Sequence, residues 1–490
     1  MVQQSPSPSE KGDAESVAIV GMACRFPGAP NLEAFWRLLA DGVDAITEVP
    51  PDRWDVDALF DPDPAAPGKI ITRWGGFLPD VDRFDAAFFG ISPREANHID
   101  PQQRLIMEVA WEALEDAGIP PLDLAGSATG VFIATLATDY ATDLFTAYGD
   151  RVDAYSGTGT TTSLNSARVS YFLDLHGPSL TVDTACSGSL AAFQLACESL
   201  RRGDCTLALA GGVNLLLRPD GYLFFSKAGA LSPDGRCKPF DARANGIVRS
   251  DGVGVLVLKL LARALADGDQ VYALIVGSAI NQDGRSTGVM APNGKAQEEL
   301  LRLAYGRAGV SPSELQYIEA HGTGTNVGDP VEARALGAVL RAGRPADGFC
   351  ALGSVKSNIG HAEAAAGTAG IIKVALAMKH RQLPPHPPLP AAEPVDPLRR
   401  AGPARAGGAG SLAVARPAVD RRHQRLRHRR HQRAPGATGS PPAAAGAGRR
   451  GGWGAGAAAG PLGADSCGAA PARGLLPRPP GRSRGGAGIR

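Results

Sequence analysis

The stretch VDTACSGSLAAFQLACESL, from Val182 to Leu200, decides how this chain is read. An apolar run enters it, and small residues turn the chain at Cys186-Ser187-Gly188-Ser189. Leu190, Phe193, Leu195, Cys197 and Leu200 then continue as a helical pattern. Cys186 therefore stands at or just before a helix N-terminus, where free backbone N–H groups and the positive end of the dipole favour a thiolate. Ala185, Ser187 and Gly188 leave room for a substrate carbonyl to approach the sulfur. A buried structural cysteine in a tight turn fits the same residues, so the choice is made further along the chain.

Two histidines lie in glycine-flanked stretches, EAHGTGT (Glu319 to Thr325) and VKSNIGHAEAAAG (Val355 to Gly367). Each follows a strand-like segment, Leu315 to Ala320 and Cys350 to Val355. A histidine at a strand end beside glycine projects readily into a cleft. Separations of 135 residues (Cys186 to His321) and 40 residues (His321 to His361) match no compact zinc motif, so no metal site is expected. Nucleophilic catalysis is the better reading.

The motifs VDTACSGSL, EAHGTGT and KSNIGHAEAAAG, in that order, resemble the active-site motifs of the β-ketoacyl synthase (ketosynthase) domain of type I modular polyketide synthases. GMACRFPG (Gly21 to Gly28), FFGISPREA (Phe88 to Ala96), IDPQQRLIMEVAWEALEDAG (Ile99 to Gly118) and GRCKPFDARANGIVRSDGVG (Gly235 to Gly254) resemble the same family's structural signatures. The resemblance runs from about Val17 to about Pro385. Gly188 departs from it slightly, standing where many members carry Ser.

The resemblance implies a thiolase-like fold, two similar βα halves stacked as α-β-α-β-α layers. It implies acyl transfer in polyketide or fatty acid biosynthesis by decarboxylative Claisen condensation. Cys186 would carry the acyl group, and His321 and His361 would hydrogen-bond the malonyl thioester carbonyl. Lys356 would assist electrostatically, and its bland alternative is a surface or salt-bridged lysine. Thr323 and Thr325 resemble the family's contacts to phosphopantetheine, although turn chemistry around Gly322 and Gly324 also accounts for them. Asn358 is placed with that binding group or just behind it, and Glu363 behind the site. Asp100 to Arg104 reads as a helix start. No bound cofactor is implied; substrates ride on the phosphopantetheine of an acyl carrier protein. Further implied partners are an acyltransferase domain or other modules of the synthase, and a second copy of the chain in a homodimer.

Composition agrees with a folded body and a different tail. Of 490 residues, 44% are hydrophobic and 20% charged, enough for one large or two modest domains. The net charge of +1 averages two unlike parts. Residues 391–490 hold 18 Arg against 4 acidic residues, and the first 390 hold 32 basic and 45 acidic residues. Seven cysteines without paired spacing indicate a reduced, cytosolic protein with mostly buried thiols. The polar N-terminus shows no signal peptide, and no apolar run reaches membrane-spanning length.

The expected organisation is a disordered segment 1–15, a ketosynthase domain over 16–385 with halves near 16–265 and 266–385, and a low-complexity tail 386–490. Strands are expected at Val17–Gly21, Thr129–Ala134, Leu207–Leu217, Gly252–Lys259 and Val271–Ile280. Helices are expected at Leu32–Ala40, with Phe35, Trp36, Leu38 and Leu39 inward, at Gln102–Ala117 and at Lys295–Ala308. Asp41 to Asp85 reads as a long ordered loop. A silent dimer partner of a condensing enzyme is disfavoured by the intact Cys186, His321 and His361. A Cys/His hydrolase lacks a peptidase-like motif at Cys186, and nucleic-acid binding has only the basic tail to support it.

After Lys379 the chain has no Lys, Phe, Tyr, Met or Asn, and it is dominated by Ala, Gly, Pro and Arg, a composition that cannot bury a core. A one-nucleotide shift makes the codons for Arg422 to Ala434 compatible with Val-Ile-Ser-Ala-Phe-Gly-Ile-Gly-Gly-Thr-Asn-Ala-His. That resembles the family's closing motif, SxFGxGGTNAH. The same shift lets Glu393 to Leu398 read as Asn-Pro-x-Ile-x-Phe, another family pattern. A translation frameshifted near Pro384 to Pro387 is therefore expected. It would leave a truncated second half without the family's second oxyanion donor, and an impaired enzyme.

Overall fold

The computed structural model describes residues 16–147, 152–345, 348–387 and 413–414. The expected segments 1–15 and 386–490 fall almost wholly outside these. No described helix is long and apolar enough to cross a membrane.

The strands that carry the largest sheet are β1 (Val17–Arg25), β4 (Thr129–Ala134), β5 (Ser179–Val182), β6 (Leu207–Asn214), β7 (Gly252–Leu260) and β8 (Ala273–Gly277). A two-residue strand, β11 (Ala413–Val414), borders β8, giving the order β11-β8-β1-β7-β6-β4-β5. β4 runs parallel to both β5 and β6, whereas β7 is antiparallel to β6 and to β1.

Alternation along these strands divides the core into two. Val131 and Ile133, Leu207 and Leu209, and Val253, Val255 and Val257 face one way. There they meet Ile106, Val109, Ala113 and Leu114 of α2 (Pro101–Asp116). Phe132, Ala208, Ala210, Leu256 and Leu258 face the other way. They pack against Phe193 and Ala196 of α3 (Gly188–Arg202), Ile372 and Leu376 of α7 (Ala366–His380), and Phe35 and Leu39 of α1 (Leu32–Ala40). A period of two on the strands meeting a helical stripe is what a two-faced buried sheet requires.

Beyond α3 and α7 lies a second sheet, β9 (Tyr317–Glu319) parallel to β10 (Ala351–Gly353). Its outer side is covered by α5 (Gly294–Ala308) and α6 (Gly328–Leu340), through Leu301, Tyr305, Leu336 and Leu340 around Ile318. The layers are thus helix, sheet, helix, sheet, helix. The halves repeat one device. A parallel pair (β4–β5) leads through a short turn to Cys186 and α3, and a second (β9–β10) leads to His361 and α7.

Several expected elements are displaced, for reasons visible in the packing. β1 continues through the GMACR segment instead of ending at Gly21, because Ala23 to Arg25 pair with Val255 to Val253 of β7. A register shift at Gly21 accompanies the close seat of α2, since a Cβ there would lie 2.5 Å from the Ala113 carbonyl oxygen. Arg25 is then anchored to Glu108 and Glu112 of α2. The region from Asp41 to Asp85 contains a short antiparallel pair, β2 (Thr47–Glu48) with β3 (Trp74–Gly75), and one helical turn at Val56–Leu59. β8, expected to open the second half, is hydrogen-bonded to β1 of the first.

Two buried ion pairs tie the loops around the site to the sheet. Arg53 meets Asp251 at 2.9 Å, and Asp251 also accepts from the Leu78 and Leu216 N–H groups at 2.9 and 2.7 Å. Arg249 meets Glu363 with Nε–Oε1 at 2.5 Å and Nη2–Oε2 at 3.2 Å. Charges buried this deeply persist only when paired and hydrogen-bonded, as both are here.

Candidate active site

Cys186 lies in the 3₁₀ turn Ala185–Ser187, two residues before α3 begins at Gly188. Ala185 takes φ +51°, an unfavourable conformation for a residue with a Cβ, and it sets the turn that presents the sulfur. Cys186 is half-buried, whereas the other described cysteines, 24, 197, 205, 237 and 350, are buried and unpaired. The turn packs against Glu363–Ala365, which begins two residues after His361. The two imidazoles meet edge to face with ring centroids 5.4 Å apart.

The expectation of a stabilised thiolate is corrected. Burial pushes the Cys186 thiol up to about 11, and Glu363 adds to this. Lys356, the residue's own N–H and Arg249 oppose it without cancelling it. The helix terminus does not outweigh desolvation. In this chain, alkylation of Cys186 by iodoacetamide should accordingly climb about tenfold per pH unit from 7 to 9, following the thiolate fraction below its pKa. Peptide mass spectrometry at each pH checks this, and a plateau reached below pH 8 would contradict it.

Both histidines are neutral. Desolvation, with Lys356 next, drives His321 down to about 3, and His361 is driven well below its usual value by burial, Lys356, His321 and Arg249. His361 Nδ1 accepts the Glu363 backbone N–H at 3.0 Å, so the ring proton sits on Nε2. That Nε2 is buried and has no partner among the described residues. It is a donor held ready for an acceptor that a substrate would bring.

The loop carrying His321 is held by two buried carboxylates of α6. Glu332 accepts from the His321 and Gly322 N–H groups at 3.0 and 2.9 Å. Asp329 accepts from Gly324 at 3.1 Å and Phe240 at 2.7 Å. Burial lifts both carboxyls above the usual range, Glu332 to about 8. Glu319, at the end of β9, pairs with Lys373 of α7 at 2.8 Å and accepts from the Val355 N–H at 2.5 Å.

Lys356 opens the turn Lys356–Ile359 and is 4% exposed, which removes the surface-lysine alternative. Its charge acts on Cys186, His321 and His361 together. Thr323 and Thr325 lie on the His321 loop with hydroxyls 3.3 Å apart, and Thr325 Oγ1 also accepts from the Gly328 N–H at 3.1 Å. Asn358 is placed elsewhere. It is 1% exposed, and its Nδ2 donates to the Val43 carbonyl at 2.9 Å, so its amide is spent on a loop and is not offered to a substrate. Asp100 caps α2, accepting from Gln102 at 2.8 Å, as a helix start should.

Sequence reasoning misses Arg249, Asp329 and Glu332. The available signal is charge in an apolar setting. Asp329 and Glu332 are three apart at the head of a helix, and Arg249 lies just before an apolar strand.

The chain matches the family described as Beta-ketoacyl synthase, N-terminal domain, over residues 14–264, and Beta-ketoacyl synthase, C-terminal domain, over 272–389. The chain belongs to the β-ketoacyl synthase family. Among curated proteins, this ketosynthase is 54% identical over 402 residues to one subunit of the phenolphthiocerol/phthiocerol polyketide synthase of Mycobacterium tuberculosis, covering 80% of this chain and 21% of that protein. Another subunit of the same synthase is 54% identical over 374 residues, covering 76% and 24%. The ketosynthase thus spans about a fifth to a quarter of the length of these relatives.

Among solved structures, an oxazolomycin ketosynthase domain of Streptomyces albus JA3453 aligns with TM-score 0.76 at 43% identity, covering 83% of this chain and 71% of that one. The ketosynthase from module 6 of the bacillaene synthase of Bacillus subtilis 168 aligns with TM-score 0.71 at 40% identity, covering 82% and 68%. The fold is the thiolase-like one, and the protein is an acyl-condensing ketosynthase of the polyketide synthase type.

Proposed function

We propose that this ketosynthase joins an acyl group held on Cys186 to a malonyl-type extender carried on the phosphopantetheine of an acyl carrier protein. The observation that carries the reading is the His361 Nε2–H, buried without a partner among the described residues beside His321 and the Cys186 turn.

In the first half-reaction, Cys186 Sγ attacks the carbonyl of an incoming acyl thioester. The acyl–sulfur bond of the carrier breaks, and the thiol proton passes to the departing sulfur. In the second, His321 and His361 donate hydrogen bonds to the malonyl thioester oxygen. The bond to the carboxylate breaks, carbon dioxide leaves, and the electron pair becomes an enolate that the two donors stabilise. The enolate carbon attacks the acyl-Cys186 carbonyl and expels the thiolate, leaving a β-ketoacyl carrier protein. Neutral imidazoles suit this role, and Lys356 supplies fixed positive charge near the developing anion. Thr323 and Thr325 line the same loop, where hydroxyls could meet the pantetheine arm. The test is an acyl adduct on the Cys186 peptide after incubation with an acyl thioester, together with carbon dioxide release from a malonyl thioester. Loading that persists in Cys186→Ala would overturn the assignment.

We further propose that the ketosynthase works as a homodimer in the cytoplasm, beside an acyltransferase domain or other synthase modules. What supports dimerisation is β5, which among the described residues is an edge strand hydrogen-bonded to β4 alone, with Leu180 exposed on it and Tyr171 nearby in sequence 86% exposed. Light scattering should give twice the chain mass; a clean monomer at micromolar concentration counts against it.

For residues 386–490 we propose a frameshifted translation without function of its own. Sequencing the encoding DNA across the codons for 375–440 should reveal an overlapping frame spelling Ser-Ala-Phe-Gly-Ile-Gly-Gly-Thr-Asn-Ala-His. Stop codons in that frame would sink the idea.

A further inference from the structure

The Arg249–Glu363 pair bridges two segments that meet behind His361. The main chains of Arg249 and His361 lie side by side in a parallel bridge. His361 N–H donates to Val248 at 2.7 Å, and Ser250 N–H donates to the His361 carbonyl at 3.0 Å. Two residues after His361, Glu363 takes φ +43°, a conformation that costs energy and persists only when its surroundings impose it. In that conformation its N–H reaches His361 Nδ1. Its carboxylate is gripped by Arg249 Nε and Nη2, both partners being almost fully buried.

The guanidinium is seated in turn. Its Cζ lies 5.2 Å from the Tyr222 ring centroid and 5.4 Å from that of Phe225, on α4 (Asp220–Lys227). Gly221 of the same helix makes the room, because a Cβ there would lie 2.0 Å from Arg249 Nη1. The ion pair acts together with the packing of the turn, in which Ala364 and Ala365 are fully buried and the Ala365 N–H donates to the Ala362 carbonyl at 2.8 Å.

We propose that Arg249 and Glu363 are positioning residues that hold the Glu363 N–H on His361 Nδ1 and so fix the His361 proton on Nε2. This rests on the reading of His361 as the donor to the thioester oxygen. Without the clamp, Glu363 relaxes towards negative φ, Nδ1 loses its donor, and the ring is free to carry its proton on either nitrogen. A ring in the wrong tautomer aims a lone pair at the oxygen it should stabilise. The charged and titratable groups facing His361 are Lys356, His321, Arg249 and the paired Glu363, with the Cys186 thiol opposite.

The experiment is ¹⁵N spectroscopy of the full chain labelled in histidine, with the His361 signals assigned by their loss in His361→Gln. In the parent protein His361 should remain neutral and protonated on Nε2 from pH 5 to 8. Glu363→Gln should populate the Nδ1–H form. Arg249→Met leaves an unpaired carboxylate beside the ring, so His361 should titrate at higher pH than in the parent. Arg249→Met with Glu363→Gln removes both charges and should mix the tautomers without that upward shift. Gly221→Ala keeps both charges but displaces the guanidinium, and it serves where the buried-pair variants fail to fold.

In each folded variant malonyl decarboxylation should fall further than acyl loading, by about 10- to 100-fold, as when the partner that orients a functional histidine is lost. A His361 that keeps its Nε2–H tautomer and its titration in every folded variant overturns the proposal. A tautomer that shifts in the variants as expected, alongside a parent protein unable to release carbon dioxide, would leave the clamp standing and remove the proposed function instead.

Discussion

Cys186→Ala is expected to carry no acyl group at all. Incubated with an acyl thioester and read by intact mass spectrometry, the parent chain should gain the mass of one acyl group, and the variant none. The sulfur is the strongest nucleophile of the turn at Ala185–Ser187, where the Ser187 hydroxyl is engaged with the Thr184 carbonyl at 2.8 Å, and the other described cysteines are buried. Deleting a nucleophile whose partners act with it as a unit lowers turnover on the order of 10⁴- to 10⁶-fold. The fold should survive, because the Cys186 sulfur makes no hydrogen bond to another of the described residues beyond its own N–H. An adduct that moves to Cys237 or Cys350 in the variant would mean that the site has been misplaced.

The second large effect is expected at His361, and it should separate the two half-reactions. His361→Ala removes the donor at Nε2 while leaving Cys186 in place, so acyl loading should continue. Carbon dioxide release from a malonyl thioester should fall about 10²- to 10³-fold, the usual cost of losing one preorganised donor to a developing oxyanion. Radiolabelled carbon dioxide capture measures the loss directly. If loading and decarboxylation fell together, His361 would be acting on the thiol and not on the enolate. The neighbouring His321 keeps its own place through Glu332, so the two histidines are separable by mutation.

The elements most legible in the sequence are those whose partners are close in the chain or whose pattern is long. β4 has the bounds that its apolar run gives, and the buried face of α1 is Phe35, Trp36, Leu38 and Leu39, as periodicity requires. β9 and β10 are three residues each, too short to carry a period, and only their pairing and the glycine loops after them mark their ends. The extension of β1 to Arg25 depends on residues more than two hundred positions away in β7.

The same distinction runs through the site. Cys186, His321 and His361 stand out because reactive side chains sit among glycines and small residues. Arg249 and Glu363, 114 residues apart, acquire meaning only once folding joins them. Asn358 is legible as part of a motif but not as a side chain turned towards Val43. The state of the thiol escapes the sequence because a helix terminus can be read there and the depth of burial around it cannot.

The order of strands also sets an order in time. β1, β7, β6, β4 and β5 all lie between Val17 and Leu260, so a ribosome that has delivered those residues has delivered every strand of the nucleophile's half. His321, His361 and α7 emerge only over the next 120 residues or so, about 6 to 24 seconds later at about 5 to 20 residues per second. α7 is the element that packs back onto α3 and buries the turn beside Cys186. Throughout that interval a nascent chain carries the Cys186 turn without the α7 cover and without the two histidine donors. The desolvation that raises the thiol is therefore acquired last, and the cysteine is closest to ordinary solution chemistry, including oxidation, while the protein is still being synthesised.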